Sequence, residues 1–522
     1  MSTILPRDGL APQPAWYYRM GQLLVRAVIL GVILILALRA AEYLSYARRA
    51  ITFPFELAYG EGIVWQQALL IPGPRMYGDI TQFPFIVFHY TPVYHLAVRA
   101  VAALGVDPLA AGRGVTLAAA IAIVVLAGSI VFTAMREIGS TSARVAGAVA
   151  AGLMVLTYHP VQWWAVVMRV DLLAIAFSIA GVYLAIVAGQ RTLILCAAIL
   201  MFVLGVYTKQ TELSAPIAAI LVAAVVNARS TSRALAFGLL IGGTAFMILQ
   251  LSTSGGFWHH VFEYNLHNRF FFHRVIDLAL AQKSDARGVL AGVVAFAFLW
   301  WTEAAANLAR NISGWVEALR QSRRLRALAI VSLWFGFASA QLVSTAKWGS
   351  SSNYFIEWMC ITTVPIGMVV SLVWDRAATR NEAARFAGLA GVLLSLTLVE
   401  HALRQPLFDP IVDDPNGIAL RTHLVNLIRE SPKPSLSEDM VLLLRAGQAV
   451  PIEPAIFADL TSTGIWDQRP FLNLIQDNAF SLIILQDYDE ERFTKEVANA
   501  VQNNYPFIEH LGNYIVRRPS EP

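Results

Sequence analysis

Three stretches of the chain carry residue types that could do chemistry: Tyr59-Gly60-Glu61-Gly62, then Pro72-Gly73-Pro74-Arg75-Met76-Tyr77-Gly78-Asp79, then His89-Tyr90-Thr91-Pro92-Val93-Tyr94. Glu61 is the carboxylate best suited to general-base work. Its two glycine neighbours let the backbone approach a substrate closely, and a membrane-interface setting moves a carboxylate pKa toward the working range. A surface-loop glutamate would look the same locally. Asp79 and Glu56 fit turn or helix-end roles, while Asp79, His89 and Tyr90 are also candidate substrate contacts.

Further polar residues sit next to long apolar runs: Arg113, Arg169, Asp171, Lys209, Gln210, Lys347, Asn353, Tyr354 and Glu357. Ionisable groups near a membrane interior are costly, so their recurrence at one depth points to a site. The chain has only five lysines, and two of them, Lys209 in Tyr207-Thr208-Lys209-Gln210-Thr211-Glu212 and Lys347 in Ala346-Lys347-Trp348-Gly349, flank apolar runs. Together with Arg113 and Arg169 they suit a lipid phosphate at head-group level. Snorkelling anchors, or salt bridges such as Arg169 with Asp171 or Lys209 with Glu212, use the same residue types. The ten histidines have no zinc-like spacing apart from His259-His260, which cannot easily share a metal, so no metal or other cofactor is expected.

The elements that position these residues are set by composition. With 522 residues, 57% hydrophobic and 14% charged, and a mean hydropathy of +0.57, the chain cannot cover a soluble surface and is a multi-pass membrane protein. The first run, Leu23 to Leu38, resembles a signal peptide, but its length and the runs behind it favour a retained helix. Cys196 and Cys360 lie in separate apolar runs and read as core residues. The modest net charge of +4 sits in short loops, which argues for membrane orientation and against nucleic acid as a partner.

Eleven segments are apolar enough to cross or nearly cross: 22–41, 114–134, 145–159, 171–188, 192–207, 212–227, 234–252, 288–308, 327–345, 355–374 and 386–402. Residues 91–105 are apolar but short, with His95 and Arg99. If they stay out of the bilayer, every basic loop (Arg136 and Arg144, Arg191, Arg229 and Arg233, Arg310 to Arg326, Arg376 to Arg385) falls on the cytoplasmic side, as the positive-inside rule requires. Residues 91–105 are therefore expected as an amphipathic surface helix. Residues 43–113 then form an outer catalytic loop, and the stretch 255–287, with Phe257-Trp258 and Phe270-Phe271-Phe272, lies along the interface. Residues 1–402 form the transmembrane domain, and 403–522 a separate soluble outer α/β domain behind a hinge at Pro406 to Pro415. Its expected strands are Met440 to Leu444, Leu482 to Gln486 and Tyr514 to Val516, alternating with helices at 417–430, 469–478 and 490–503. The setting implied is the inner (plasma) membrane, with this domain on the periplasmic side.

Taken in order, the long acidic first loop, Gly73 to Asp79, Tyr90 to Tyr94, Arg169-Val170-Asp171, Tyr207 to Lys209 and Asn353-Tyr354 resemble integral-membrane glycosyltransferases of the GT-C fold, notably protein O-mannosyltransferases and lipid A aminoarabinose transferases. The resemblance covers about residues 20–375. It implies transfer of a hexosyl or pentosyl unit from a polyprenyl-phosphate sugar to an unknown glycan, lipid or protein acceptor on the outer face, with inversion and with Glu61 as base. Relatives carry an Asp-Glu pair where this chain has Gly60-Glu61. The phosphate ligands implied are Arg113, Lys209, Arg169 and Lys347, and the substrate contacts Asp79, His89, Tyr90, Asp171, Gln210, Asn353 and Tyr354. The alternatives are a lipid or polysaccharide transporter or flippase, and a non-catalytic assembly protein. Transporters tend to place ionisable residues near the midplane of repeated halves, and no internal repeat is visible here.

Overall fold

A computed structural model of the protein describes residues 15–137, 139–267, 269–307, 311–376, 382–403, 410–486 and 492–520. In lipid every backbone N–H and C=O must be satisfied within the chain, so the apolar runs are helices. In order they are α1 (Ala15–Thr52), α2 (Glu61–Leu70), α3 (Val93–Ala102), α4 (Pro108–Ala134), α5 (Thr141–Val155), α6 (His159–Trp164), α7 (Asp171–Ala188), α8 (Thr192–Val206) and α9 (Ser214–Ser252), followed by Ala286–Asn307, Arg323–Gln341, Ile356–Arg376 and Glu382–Leu403. Every expected span falls on a helix. Among the described residues, seven helices are long and apolar enough to cross a membrane, α9 counting once. The sequence reading divides α9 into two spans, and the helix does break at Asn227 (φ −157°, ψ 92°). There the Asn227 Oδ1 accepts from Ser230 N at 3.1 Å and so caps the second half.

Helix Ile356–Arg376 is the centre of the bundle; 94% of its apolar window is buried, against 6% for α9. Close crossings depend on small residues: a Cβ at Gly367 would lie 2.5 Å from Gly147 O, and one at Gly128 would lie 2.8 Å from Ala148 O. The basic loops gather at one end. Glu137 accepts from Ser322 Oγ and Arg323 N, Asp375 from Ser140, and Arg326 donates to Ile186 O. Asp171 begins α7 at the opposite end of the bundle.

The loop between the first two spans is shorter than 43–113, because α1 continues to Thr52 and α4 begins at Pro108, capped by Asp107. Within it α3 has 10 residues, about 15 Å of helix at ~1.5 Å per residue, half of a hydrocarbon core of ~30 Å. It does not cross.

The carboxy-terminal region carries a sheet of order β1-β2-β4-β3, with β1 (Ser435–Ser437) parallel to β2 (Leu482–Gln486), and β4 (Tyr514–Arg518) antiparallel to both β2 and β3 (Phe507–Leu511). The expected strand at Met440 to Leu444 is instead a helix, Met440–Arg445. A short, continuously buried apolar run does not distinguish strand from helix. The expected hinge at Pro406 to Pro415 lies partly outside the described residues; Pro410–Asp413 is a single 3-10 turn.

This region is bonded tightly to the first loop. Arg445 donates to both Asp107 oxygens at 2.5 and 3.1 Å and to Pro54 O at 2.7 Å. Gln66 exchanges hydrogen bonds with Val450, and Phe85 pairs with Ile452. A Cβ at Gly62 would lie 2.5 Å from Met440 Cβ. That glycine admits the outer helix, where the sequence reading gives it a substrate.

Candidate functional site at one end of the bundle

Glu61 begins α2 and is wholly buried, as is Arg113 on α4. Its Oε2 accepts from Arg113 Nη2 at 2.6 Å and from Leu57 N at 2.7 Å. Its Oε1 accepts from Arg113 Nε at 2.9 Å and from Met168 N at 2.7 Å. The remaining Arg113 N–H groups go to the carbonyls of Ala50, Phe53 and Phe55. Both groups are therefore saturated: the carboxylate has four donors, and all five guanidinium donors are used. Burial alone would raise the Glu61 carboxyl, but Arg113 and the two amides outweigh it and hold it below the ordinary range. In this geometry neither the expected base nor the expected phosphate ligand has a hydrogen-bonding site left over; together Glu61 and Arg113 clip α1, α2, α4 and the 168–170 turn into register. Gly60 (φ 88°) makes room for a protein side chain, since a Cβ there would lie 2.8 Å from Arg169 Nη2. Asp79 is likewise a turn residue, accepting from Thr81 N and Oγ1 at an exposed surface.

The other expected residues do come together. Asp171 Oδ1 accepts from Lys209 Nζ and from Asn353 Nδ2, both at 2.8 Å. The Lys209 ammonium lies 5.2 Å from the Tyr354 ring centre. Burial opposes its charge, yet Asp171 and Glu212 outweigh burial and hold its pKa well above the ordinary lysine value. Gln210 Nε2 donates to His89 O at 2.8 Å and to Val261 O at 3.1 Å. Lys347 Nζ donates to Asn265 Oδ1 at 3.1 Å, and Asn265 Nδ2 donates in turn to His89 O. Arg169 donates to Tyr59 O through a very short contact and lies 5.6 Å from the Trp164 ring centre.

The first loop is held over this cluster by Val93 N, which donates to Tyr207 O at 3.0 Å, and by Thr91 Oγ1, which donates to Val206 O at 3.0 Å, while within the loop Tyr77 Oη donates to Tyr90 O at 2.9 Å. Burial, then the charges of Lys347 and Arg169, push the His89 imidazole down to about 3, so it is neutral. Burial likewise brings Lys347 down to about 8, with Asp459 opposing and Lys209 assisting.

Three polar atoms of the cluster are buried without a hydrogen-bond partner among the described residues: Asp171 Oδ2, Gln210 Oε1 and Arg169 Nε. Burying unsatisfied polar atoms is costly, and a site that binds a polar ligand is where such atoms persist. An apolar groove of about 450 Å³, lined by residues such as Val124, Phe132, Ala148 and Tyr183, lies elsewhere, toward the basic end of α4 and α7.

The sequence reading missed Asn265, Glu453 and Asp459, and gave Tyr59 no role of its own. Tyr59 Oη donates to Glu453 Oε1 at 2.5 Å, and Arg269 Nε donates to Asp459 Oδ1 at 2.9 Å. The carboxy-terminal region thus stands behind Arg169 and beside Lys347. No local pattern marks these residues, because each acquires its place through contacts between distant segments.

Neither a protein-family model nor a curated protein sequence matches the chain. Solved structures do. ArnT from Cupriavidus metallidurans bound to undecaprenyl phosphate is 12% identical with a TM-score of 0.51, over 93% of this chain and 97% of that one. The same protein in the apo state gives 11% and 0.52, over 92% and 97%. The archaeal oligosaccharyltransferase AglB from Archaeoglobus fulgidus, in complex with an inhibitory peptide and a dolichol-phosphate, gives 12% and 0.49, over 94% and 76%. The chain is a polytopic membrane protein with the GT-C fold.

Proposed function

We propose that this chain moves a sugar from a polyprenyl-phosphate donor to an acceptor hydroxyl at the outer face of the membrane. The observation that carries the reading is the convergence of Arg169, Lys209 and Lys347, from three separate segments, around buried polar atoms that lack partners. The fold supports it, since a structure of the same fold holds undecaprenyl phosphate. The gathering of the basic loops at the opposite end supports an outward-facing site.

In this reaction the acceptor oxygen attacks the anomeric carbon as the bond to the donor phosphate breaks, and configuration inverts. The phosphate is a good leaving group and needs no general acid. Its growing charge falls to the three cations, in a buried setting where they act more strongly than in water. Neutral His89, with Tyr90, Asn353 and Tyr354, supplies hydrogen bonds to the sugar or phosphate.

The test is incubation of the purified full-length chain with a panel of polyprenyl-phosphate sugars and a membrane-lipid extract, measuring polyprenyl phosphate released. Release that Lys209→Ala diminishes supports the reading. Movement of donor across vesicles without release would make the chain a transporter instead.

A further inference from the structure

With Glu61 saturated, the proposed reaction still needs a group that can take the acceptor's proton. Asp171 is held at the head of α7 by Lys209 and Asn353, both bound to Oδ1, while Oδ2 is buried with no hydrogen-bond partner among the described residues. The side chain is 1% exposed, so Oδ2 faces the interior of the cluster and not bulk solvent. The groups around it are Arg169 on its own segment, Lys209 and Glu212 from the 207–213 turn, Tyr90 and Tyr94 from the first loop, and Asn353 and Tyr354 at the head of Ile356–Arg376. The two bonds to Oδ1 fix the carboxylate plane, leaving Oδ2 beside the cations proposed to hold the donor phosphate.

We infer that Asp171 is the catalytic base, taking the acceptor's proton on Oδ2; this rests on the transferase reading above. The acceptor O–H bond breaks as its oxygen forms the bond to the anomeric carbon. The bond between that carbon and the phosphate oxygen breaks, and its electron pair stays on polyprenyl phosphate. The proton on Oδ2 then passes to water when product leaves. Lys209 has two tasks here, orienting the base through Oδ1 and facing the phosphate, and Asn353 duplicates the first.

The charge of the base makes the inference separable from a structural role. Asp171 is an anion beside a site for an anion, so its neutralisation removes a repulsion. In Asp171→Asn, polyprenyl phosphate should bind at least as tightly as in the unaltered protein, while sugar release from the donor panel falls by about a hundredfold or more. Asp171→Glu keeps a carboxylate and should recover part of the rate. If Asp171→Asn weakens donor binding and release together, Asp171 only spaces Lys209, and the inference is overturned; it is equally overturned if release survives. If Asp171→Asn does not fold, the same decision falls to Asp171→Glu, whose release must exceed that of Asp171→Ala. An unaltered protein that binds polyprenyl phosphate but releases none from any donor removes the transferase reading itself, and this inference with it.

Discussion

Two buried carboxylate–cation pairs lie close together at one end of this molecule, and they are finished to different degrees. In the Glu61–Arg113 pair every donor and acceptor is used within the protein. In the Asp171–Lys209 pair one carboxylate oxygen has no hydrogen-bond partner among the described residues, nor do neighbouring atoms of Gln210 and Arg169. Both pairs bear desolvation costs that only good geometry offsets. The saturated pair spends its whole hydrogen-bonding capacity on holding segments together, while the unsaturated one keeps capacity for a ligand. The two are connected in series: Glu61 holds the amide of Met168, the residue before Arg169.

The largest effect expected is at the saturated pair. Arg113→Ala leaves Glu61 charged, buried and unpaired, which costs about 3–5 kcal/mol. Loss of the folded, detergent-stable protein should be the readout, and a normal melting temperature would break the comparison. Glu61→Gln should be milder, lowering the melting temperature while the molecules that remain folded still release polyprenyl phosphate.

Next comes the unsaturated pair, where function should suffer more than folding. Lys209→Met should reduce polyprenyl phosphate release by roughly a hundredfold, the range for removing one stabilising donor. Its melting temperature should fall less than that of Arg113→Ala, because Asp171 keeps Asn353 and can take up a proton. A fall equal to that of Arg113→Ala would make both pairs structural.

A smaller effect tests the role of the carboxy-terminal region. Because Glu453 anchors Tyr59, which accepts from Arg169, Tyr59→Phe should weaken polyprenyl phosphate binding by about 1 kcal/mol, the worth of one ordinary hydrogen bond. Deleting 404–522 uncovers α2 and should weaken it further. Unchanged binding in a folded truncation would show that the donor site is complete without this region.

The smallest effect concerns pH. Lys347 has its pKa lowered to about 8 by burial, so it is charged below that value and loses its proton above it. Donor-phosphate affinity should therefore fall as pH rises from 7 to 9, as measured by titration with polyprenyl phosphate. Lys347→Arg, which stays charged throughout, should abolish the fall.

The sequence alone determined the membrane class, a helix at each expected span among the described residues and the gathering of polar residues at one end, because lipid imposes length and apolarity on each span independently of its neighbours. It also marked Arg169, Asp171, Lys209, Gln210, Lys347, Asn353 and Tyr354, since charge beside an apolar run is rare enough to be informative. It preferred Glu61 to Asp171 as the base because of two glycine neighbours, although both are acidic and near a cation. Only the tertiary structure separates them, by giving Glu61 two backbone amides and a bidentate arginine and by leaving Asp171 one oxygen short. In the same way, Met440 to Leu443 are apolar in either a strand or a helix, and packing against α2 makes them a helix. Saturation and packing are properties of what surrounds a residue, and for these residues much of the surroundings comes from segments distant in the chain.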